Sequence, residues 1–294
     1  MLRIAIPNKG RLAEDTRRLF NDAGLEARAR DERALTASLG GEFEGIFVRA
    51  QDIPEFVADG AADVGITGLD LITESGRSLT TLSDLGFGRC RLAVAATDES
   101  GIRSLDDIRS GARVATSFPR AARSFFDKAG LSIELVPVSG AAEIAPHLGI
   151  ADVIVDLVST GSTLRVNGLH EVATIFESTA RLVVACESAA DSDGGDGSAD
   201  RKRAIADLVS ALESVIRARE QRYLMANVRR DRLDDVRRIL PGLNGPTVVD
   251  ILNGGDLVAV HAVVAANGIY RTISDLRQIG AEGVLVTRIE RLIP

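Results

Sequence analysis

The stretch Asp152-Val-Ile-Val-Asp156-Leu-Val-Ser159-Thr160-Gly161-Ser162-Thr163-Leu164 carries the residue types best suited to chemistry in this chain. It begins as a near-continuous apolar run, the pattern of a strand buried on both faces. The run breaks into four hydroxyl residues around one glycine and leads into a helical turn expected at Leu164–Asn167. Hydroxyls and free backbone N–H groups converge at such a break, and the positive end of the helix favours an anion, so the loop reads as a phosphate cradle. Asp156 stands four residues before Thr160, where its carboxylate can reach the hydroxyls of a sugar whose 5-phosphate fills the loop. A ribose phosphate is the ligand this implies. The plainer reading, in which the hydroxyls only cap the helix, stands beside it.

The elements that must hold this loop follow from the hydrophobic pattern. Short Val/Ile/Ala-rich runs alternate with longer amphipathic stretches through the first 185 residues, which predicts an α/β fold with buried, mostly parallel strands. Strands are expected at Leu2–Pro7, Phe43–Val48, Val64–Thr67, Leu92–Ala96, Arg113–Ala115, Val153–Val158 and Leu182–Ala185. Helical spacing marks Arg11–Ala23, Ile53–Asp59, Leu105–Arg109, Arg120–Ala129 and Ala141–Leu148, several of them stopped by a glycine, which turns left-handed at little cost. Gly60-Ala-Ala-Asp63-Val64-Gly-Ile66 echoes Gly149-Ile-Ala-Asp152-Val153-Ile-Val155. Either the chain holds two similar lobes, or small residues and aspartate simply recur where a helix enters a strand. Two lobes would place a site in the cleft between them, at the carboxyl ends of their strands.

Further along, Ala189–Asp200 is small, acidic and glycine-rich, and a mobile loop is expected there. A connecting helix is expected at Arg201–Arg222, with Ile205, Leu208, Val209, Leu212, Val215 and Ile216 on one face. From residue 222 the rhythm changes to strand Arg222–Val228, helix Leu233–Leu240, strands Thr247–Ile251 and Leu257–Val264, helix Gly268–Ile279 and strand Gly283–Ile289. That order is βαββαβ, the ferredoxin-like arrangement, and by itself it names no ligand.

Bulk properties narrow the function. A length of 294 residues with 45% hydrophobic content predicts two or three domains. A formal net charge of −7 argues against a nucleic-acid partner, so any bound anion must be held by local donors. Cys90 and Cys186 are too few for a disulfide framework or a zinc site and are expected to be buried reduced thiols. Met1–Pro7 lacks the features of a signal peptide, and no window approaches the roughly 18 apolar residues of a membrane span. A cytoplasmic protein without a membrane partner is expected. His147, His170 and His261 have no nucleophile or second ligand beside them in sequence, so none is assigned to catalysis.

The pattern Asp156-x3-Thr160-Gly161-x-Thr163 resembles the phosphoribosyl pyrophosphate loop of the common phosphoribosyltransferases, with Val155 where those usually carry a second acid. The longer segment Glu143-x5-Gly149-x-Ala151-Asp152-x-Ile154-x-Asp156-Leu-Val-Ser-Thr-Gly-x-Thr-Leu164 resembles the signature of the ATP phosphoribosyltransferases. Other segments resemble that family in the same order: Pro7-Asn8-Lys9-Gly10-Arg11-Leu12, Arg49-Ala-Gln-Asp52-Ile53-Pro54, Asp63-Val-Gly-Ile-Thr-Gly68-Leu-Asp70, Phe87-Gly88-Arg-Cys90-Arg91-Leu92 and Ala115-Thr-Ser-Phe-Pro119. Asn167-Gly-Leu169, Ser178-Thr-Ala-Arg-Leu182 and Ile239-Leu-Pro-Gly-Leu243 with Pro246-Thr247 continue it. The resemblance covers nearly the whole chain, including the regulatory domain of the long form.

What the resemblance implies is specific. The fold would be a two-lobed periplasmic-binding-protein-like catalytic core, with lobe I at 1–90 plus about 185–221 and lobe II at 91–184, followed by a ferredoxin-like regulatory domain at 222–294. The activity would be transfer of the phosphoribosyl group of phosphoribosyl pyrophosphate to N1 of ATP, releasing pyrophosphate, as the first step of L-histidine biosynthesis. Mg2+ would be needed, with no direct protein ligand assigned. Glu143 and Asp156 would be the catalytic carboxylates near the ribose, and Asp156, Ser159, Thr160, Gly161, Ser162 and Thr163 would bind phosphoribosyl pyrophosphate. Lys9, Arg11 and Arg49 follow strand ends where cations can meet polyphosphate, and Asp70 matches a nucleotide-holding position, an N-cap role being its alternative. Arg120 and Arg123, at a helix start, would add to the polyphosphate site. L-histidine would inhibit through Asn227, Thr247 and Ala281, Asn227 standing where relatives often carry an acid. The family also implies a homo-oligomer, dimer to hexamer. The alternative reading is a non-catalytic two-lobed small-molecule binding protein, which would require export. A ligand-sensing regulator would require a basic helix-turn-helix that the chain does not offer.

Overall fold

The computed structural model describes residues 1–28, 34–186, 196–243, 245–252 and 255–293. Packing divides the chain into two units, Met1–Arg18 with Leu25–Ala206, and Leu19–Gly24 with Asp207–Pro294. Through residue 219 the strands are β1 (Leu2–Pro7), β2 (Ala27–Arg28), β3 (Thr36–Leu39), β4 (Phe43–Val48), β5 (Val64–Gly68), β6 (Leu79–Asp84), β7 (Cys90–Thr97), β8 (Ala112–Thr116), β9 (Ile133–Pro137), β10 (Val153–Val158), β11 (Leu169–Ser178) and β12 (Ala180–Ala185). The helices are α1 (Ala13–Asp22), α2 (Ile53–Ala58), α3 (Leu69–Ser75), α4 (Pro119–Lys128), α5 (Ser162–Val166) and α6 (Asp196–Arg219).

Two sheets result. One has the order β2-β3-β4-β1-β5-β12-β6 and the other β11-β7-β10-β8-β9. Both sheets lie within the first unit and form its two lobes. The expectation of mostly parallel strands fails: β1 runs parallel to β4 and β5, and β8 parallel to β10 and β9, while the remaining pairs are antiparallel. The reason is the path of the chain. It enters the second sheet along β7 against β10, and returns along β12 against β5. The strands absent from the sequence reading, β2, β3, β6, β9 and β11, lie towards sheet edges, where half-exposed polar residues weaken the hydrophobic signal.

The run Val153–Val158 is apolar on both sides because both sides are covered. Val153 and Val155 join a cluster with Leu92, Val94, Phe118 and Phe126, whereas Ile154 and Val158 join one with Ala142, Ala145 and Leu164. The two-residue period of a strand puts Asp156 on the second face, the one toward Ala142 and α5. The helix expected at Ala141–Leu148 is only a 3-10 turn, Ala142–Ile144, preceded by Ala141 at φ 51°. Pro146 explains this, since it removes a backbone donor and clashes with a preceding turn. Leu105–Arg109 likewise reduces to the 3-10 turn Leu105–Asp107, closed by a capping box between Ser104 and Asp107.

The internal echo is structural. In the first lobe the Arg3 N–H donates to Asp63 Oδ2 at 2.7 Å, the Asp63 N–H donates to the Arg3 carbonyl at 2.9 Å, and the Arg3 guanidinium donates to the Gly60 carbonyl at 2.9 Å. In the second, Arg113 N–H meets Asp152 Oδ2 at 2.8 Å, Asp152 N–H meets the Arg113 carbonyl at 2.8 Å, and the Arg113 guanidinium meets the Gly149 carbonyl at 2.8 Å. Gly60 and Gly149 are both left-handed, at φ 72° and 68°. The two segments perform one task, fastening a central strand to its parallel neighbour.

The expected loop Ala189–Asp200 lies in part outside the described residues, and α6 begins at Asp196, ahead of the expected Arg201, and ends at Arg219, short of the expected Arg222. The second unit continues with β13 (Gln221–Arg229), α7 (Leu233–Ile239), β14 (Thr247–Asp250), β15 (Leu257–Ala265), α8 (Ile269–Gln278) and β16 (Glu282–Arg288). Their sheet has the order β14-β15-β13-β16 and is antiparallel throughout, the ferredoxin-like arrangement. Leu224, Ala226, Val228, Val258, Val260, Val236 and Leu276 form its core.

Because the side chain of Asp63 is 17% exposed and that of Asp152 44% exposed, removing the two equivalent carboxylates should not cost the same. Urea denaturation should show Asp63→Ala losing about 2 kcal/mol and Asp152→Ala about half that. Equal losses would mean that burial does not set the value of this contact.

Candidate active site in the cleft between the lobes

The carboxyl ends of β1, β4, β5 and β10 are followed by the polar residues Asn8 to Arg11, Arg49, Asp70 and Ser159 to Thr163. The Asn8 N–H donates to the Val48 carbonyl at 2.8 Å, which brings Lys9 and Arg49 to the ends of the neighbouring strands β1 and β4. Both are exposed. Asn8 Oδ1 is buried with no hydrogen-bond partner. Arg11 and Asp70 meet directly: the guanidinium lies 3.2 Å from both carboxylate oxygens and also donates to the Gly88 carbonyl. The Ser178 hydroxyl donates to Asp70 Oδ1 at 2.5 Å and accepts the Asp70 N–H at 3.0 Å. Asp70 is therefore 1% exposed and fully engaged. It sits inside α3, whose N-cap is Gly68, so the capping role does not apply.

In the second lobe Asp156 is half-buried on the face toward Glu143. Burial pushes its carboxyl above the usual range, the Leu157 N–H bond at 2.7 Å opposes this, and the Glu143 charge adds to it. The two carboxylates are thus close enough to repel. The hydroxyl loop follows. Gly161, left-handed at φ 73°, is the N-cap of α5 and supplies no side-chain cap. Thr160 Oγ1 and Ser162 Oγ lie 2.9 Å apart, and Ser159, Thr160, Ser162 and Thr163 are all exposed. Gly161 caps α5 without a side chain, Thr160 Oγ1 accepts the Ser162 N–H at 3.4 Å, and the Ser159 and Thr163 hydroxyls have no partner among the described residues.

Arg120 and Arg123 are placed differently. The N-terminus of α4 is occupied by Glu74 of α3, whose two oxygens each accept at 3.0 Å from the N–H groups of Arg120 and Ala121. His147, His170 and His261 are engaged with the Asn167 carbonyl, with Asp98 and the Ile102 carbonyl, and with Tyr223 respectively.

The sequence reading assigned no role to Arg91, Glu171, Ser178 or Cys90. A cavity of about 410 Å³ opens beside Cys90, Arg91, Ser159, Ser178 and Arg181, joining the phosphate loop to the strands that cross between lobes. Arg91 forms a two-pronged ion pair with Glu171. A charge at the start of an otherwise apolar strand was the available signal. Cys90 is buried as expected, and burial raises its thiol, so it rests protonated. Cys186 is exposed, contrary to expectation, because it lies just beyond the end of β12.

The fold is that of an α/β protein with two sheets in its first unit and a second unit of ferredoxin-like topology. The family model described as ATP phosphoribosyltransferase matches residues 49–214, and that of the HisG C-terminal domain matches residues 218–291. The chain is 68% identical to the ATP phosphoribosyltransferase of Gemmatimonas aurantiaca and 44% identical to that of Methanosarcina barkeri, with full coverage of both partners in each comparison. Its structure resembles that of the ATP phosphoribosyl transferase (HisG:HisZ) complex from Thermotoga maritima, with a TM-score of 0.62, 28% identity, and coverage of 74% of this chain and 99% of that one. The chain belongs to the ATP phosphoribosyltransferase family, in the long form that carries the C-terminal domain.

The pKa direction of Asp156 has a measurable consequence. A carboxyl raised above its unfolded value of about 3.9 stabilises the fold only while protonated, and its ionised form costs stability as pH rises through the folded value. Asp156→Asn keeps the acceptor for Leu157 and removes the charge. It should raise the melting temperature by about 2 °C at neutral pH, with the gain vanishing toward ~pH 3, while transferase activity falls. A gain that persists undiminished in acid would refute the electrostatic cause.

Proposed function

We propose that this cleft transfers the phosphoribosyl group of phosphoribosyl pyrophosphate to N1 of ATP, the first step of L-histidine biosynthesis. The observation that carries this reading is the exposed hydroxyl loop at the end of β10, beside the paired carboxylates Glu143 and Asp156. The 5-phosphate takes the loop Ser159–Thr163. Asp156 and Glu143 face the ribose and stabilise the cationic character that C1 acquires as its bond to pyrophosphate breaks. The electron pair leaves with pyrophosphate while the N1 lone pair forms the new bond, with inversion at C1. No covalent nucleophile is required, and the protonated Cys90 thiol is not one.

Lys9 and Arg49 are the cations for the ATP polyphosphate. Arg11 and Asp70 serve that site as a coupled pair, with Arg11 as the more exposed member. Among the described residues no three ligating side chains cluster as a metal site. Mg2+ would be held on pyrophosphate oxygens, with no direct protein ligand assigned, and would supply neutralisation of the leaving group.

No helix among the described residues is long and apolar enough to cross a membrane. We also assign the C-terminal unit to feedback inhibition by L-histidine, in a homo-oligomer of dimers or hexamers. Asn227 pairs with Ala259 in register and Thr247 with His261. Asn227 and Thr247 therefore share the sheet face opposite the core, while Ala281 is buried at the start of β16.

Incubation with ATP, phosphoribosyl pyrophosphate and Mg2+ should yield pyrophosphate and the phosphoribosyl-ATP adduct, and a folded protein that forms no adduct would sink the proposal. Thr163→Ala should raise the KM for phosphoribosyl pyrophosphate more than that for ATP, through loss of one charge-assisted hydrogen bond. Equal effects would count against the loop assignment. Asn227→Asp should lower the L-histidine concentration needed for half inhibition, by giving the ligand's amine an anionic partner. Unchanged or weaker inhibition would remove Asn227 from the site.

A further inference from the structure

We propose that Arg91, held by Glu171, is a positioning residue that turns the peptide units of the Ser159–Gly161 loop so that their N–H groups face the bound phosphate. The proposal rests on the reading of that loop as the phosphoribosyl site. Arg91 is the second residue of β7, and its guanidinium meets Glu171 of β11 through Nε at 2.7 Å and through Nη2. Its remaining nitrogen, Nη1, donates to the Ser159 carbonyl at 3.3 Å. One residue further on, Arg165 Nη1 donates to the Thr160 carbonyl at 3.5 Å.

Two successive carbonyls are therefore tied down by two arginines. The described chain has no cis peptide bond, and in a trans unit the C=O and the following N–H point in opposite directions. Fixing the carbonyls of Ser159 and Thr160 thus aims the N–H groups of Thr160 and Gly161 away from the arginines. Among the described residues neither N–H has an acceptor. They are free donors at the start of α5, where an anion would accept from them. Glu171 also packs beneath the turn, since a Cβ at Gly161 would stand 3.5 Å from its Oε1 and 3.4 Å from Arg165 Nη1.

The pairing separates this role from direct phosphate binding. An arginine that neutralised phosphate would present its fork to the ligand, whereas Arg91 spends its fork on Glu171 and a carbonyl. The pair adds almost no net charge to the site. What it contributes is the orientation of donors before the ligand arrives.

Steady-state kinetics of the full chain tests this. Arg91→Met should raise the KM for phosphoribosyl pyrophosphate about tenfold, while the KM for ATP changes by less than about twofold. Arg91→Lys keeps the charge but not the fork, so it should rescue little. Glu171→Gln discriminates the mechanisms. It leaves the site more cationic, so a charge role for Arg91 predicts a lower KM for phosphoribosyl pyrophosphate, and a positioning role predicts a higher one. A fall in that KM, or no change in Arg91→Met, would overturn the proposal. Thr163→Ala run in parallel separates the failures: if it too leaves the KM unchanged, the loop assignment is wrong, and if it alone raises the KM, only the clamp is wrong. Should Arg91→Met not fold, the near-isosteric Glu171→Gln and the exposed Arg165→Met carry the test, the latter expected to shift KM in the same direction by a smaller factor.

Discussion

The buried carboxylate of Asp70 is the constraint on which the catalytic core turns. An ionised carboxylate out of water costs several kcal/mol unless paired and hydrogen-bonded, and Asp70 is 1% exposed. Arg11 and Ser178 meet that requirement. The three residues come from three separate places in the chain: Arg11 from the loop after β1, Asp70 from helix α3, and Ser178 from the end of β11 just before the chain returns to the first sheet. Arg11 also holds the Gly88 carbonyl, at the point where the chain leaves for the second sheet. One carboxylate therefore fixes both crossings. Gly88 is three residues from Arg91, so the same hub sets where β7 begins and where the guanidinium beneath the phosphate loop can reach.

A second tie between the lobes has a different character. Glu74, on the same short helix as Asp70, caps the N-terminus of α4 across the cleft, and the Arg120 guanidinium lies against Gly76. This contact is at the surface, so solvent screens it and its net contribution is modest. Both ties start from α3, one buried at Asp70 and one nearer the surface at Glu74.

The legibility of this core in the sequence followed burial. Leu2–Pro7, Phe43–Val48 and Val153–Val158 have the bounds expected of them because central strands read as apolar runs. Leu79–Asp84 and Leu169–Ser178 were not legible, being partly exposed and, in β11, broken by irregular register. The hydroxyl loop was legible as a loop because its residues are contiguous. Its support was not: Arg91 and Glu171 are 80 residues apart and Asp70 and Ser178 are 108 apart, and no local pattern announces such pairs. Asp70 shows the difference most clearly, since beside Thr67-Gly68 a capping role and a buried ion pair read alike until the partner is in place. The seven-residue echo was ambiguous for the same reason and became decisive only when both copies made the same three hydrogen bonds.

An acidic chain that binds two polyanions must do so without a broad positive field. Here the positive potential is local and mostly neutral in net charge: backbone N–H groups aimed by clamped arginines, a short helix start, and exposed Lys9 and Arg49 at strand ends. Against this stands Asp156, which burial, with the Glu143 charge adding to it, leaves reluctant to ionise. In the resting cleft that is an unfavourable arrangement. Under the proposed mechanism, positive charge that develops at C1 of the ribose beside these carboxylates as pyrophosphate leaves would offset that cost, so the pair would stabilise the transition state more than it does the empty site.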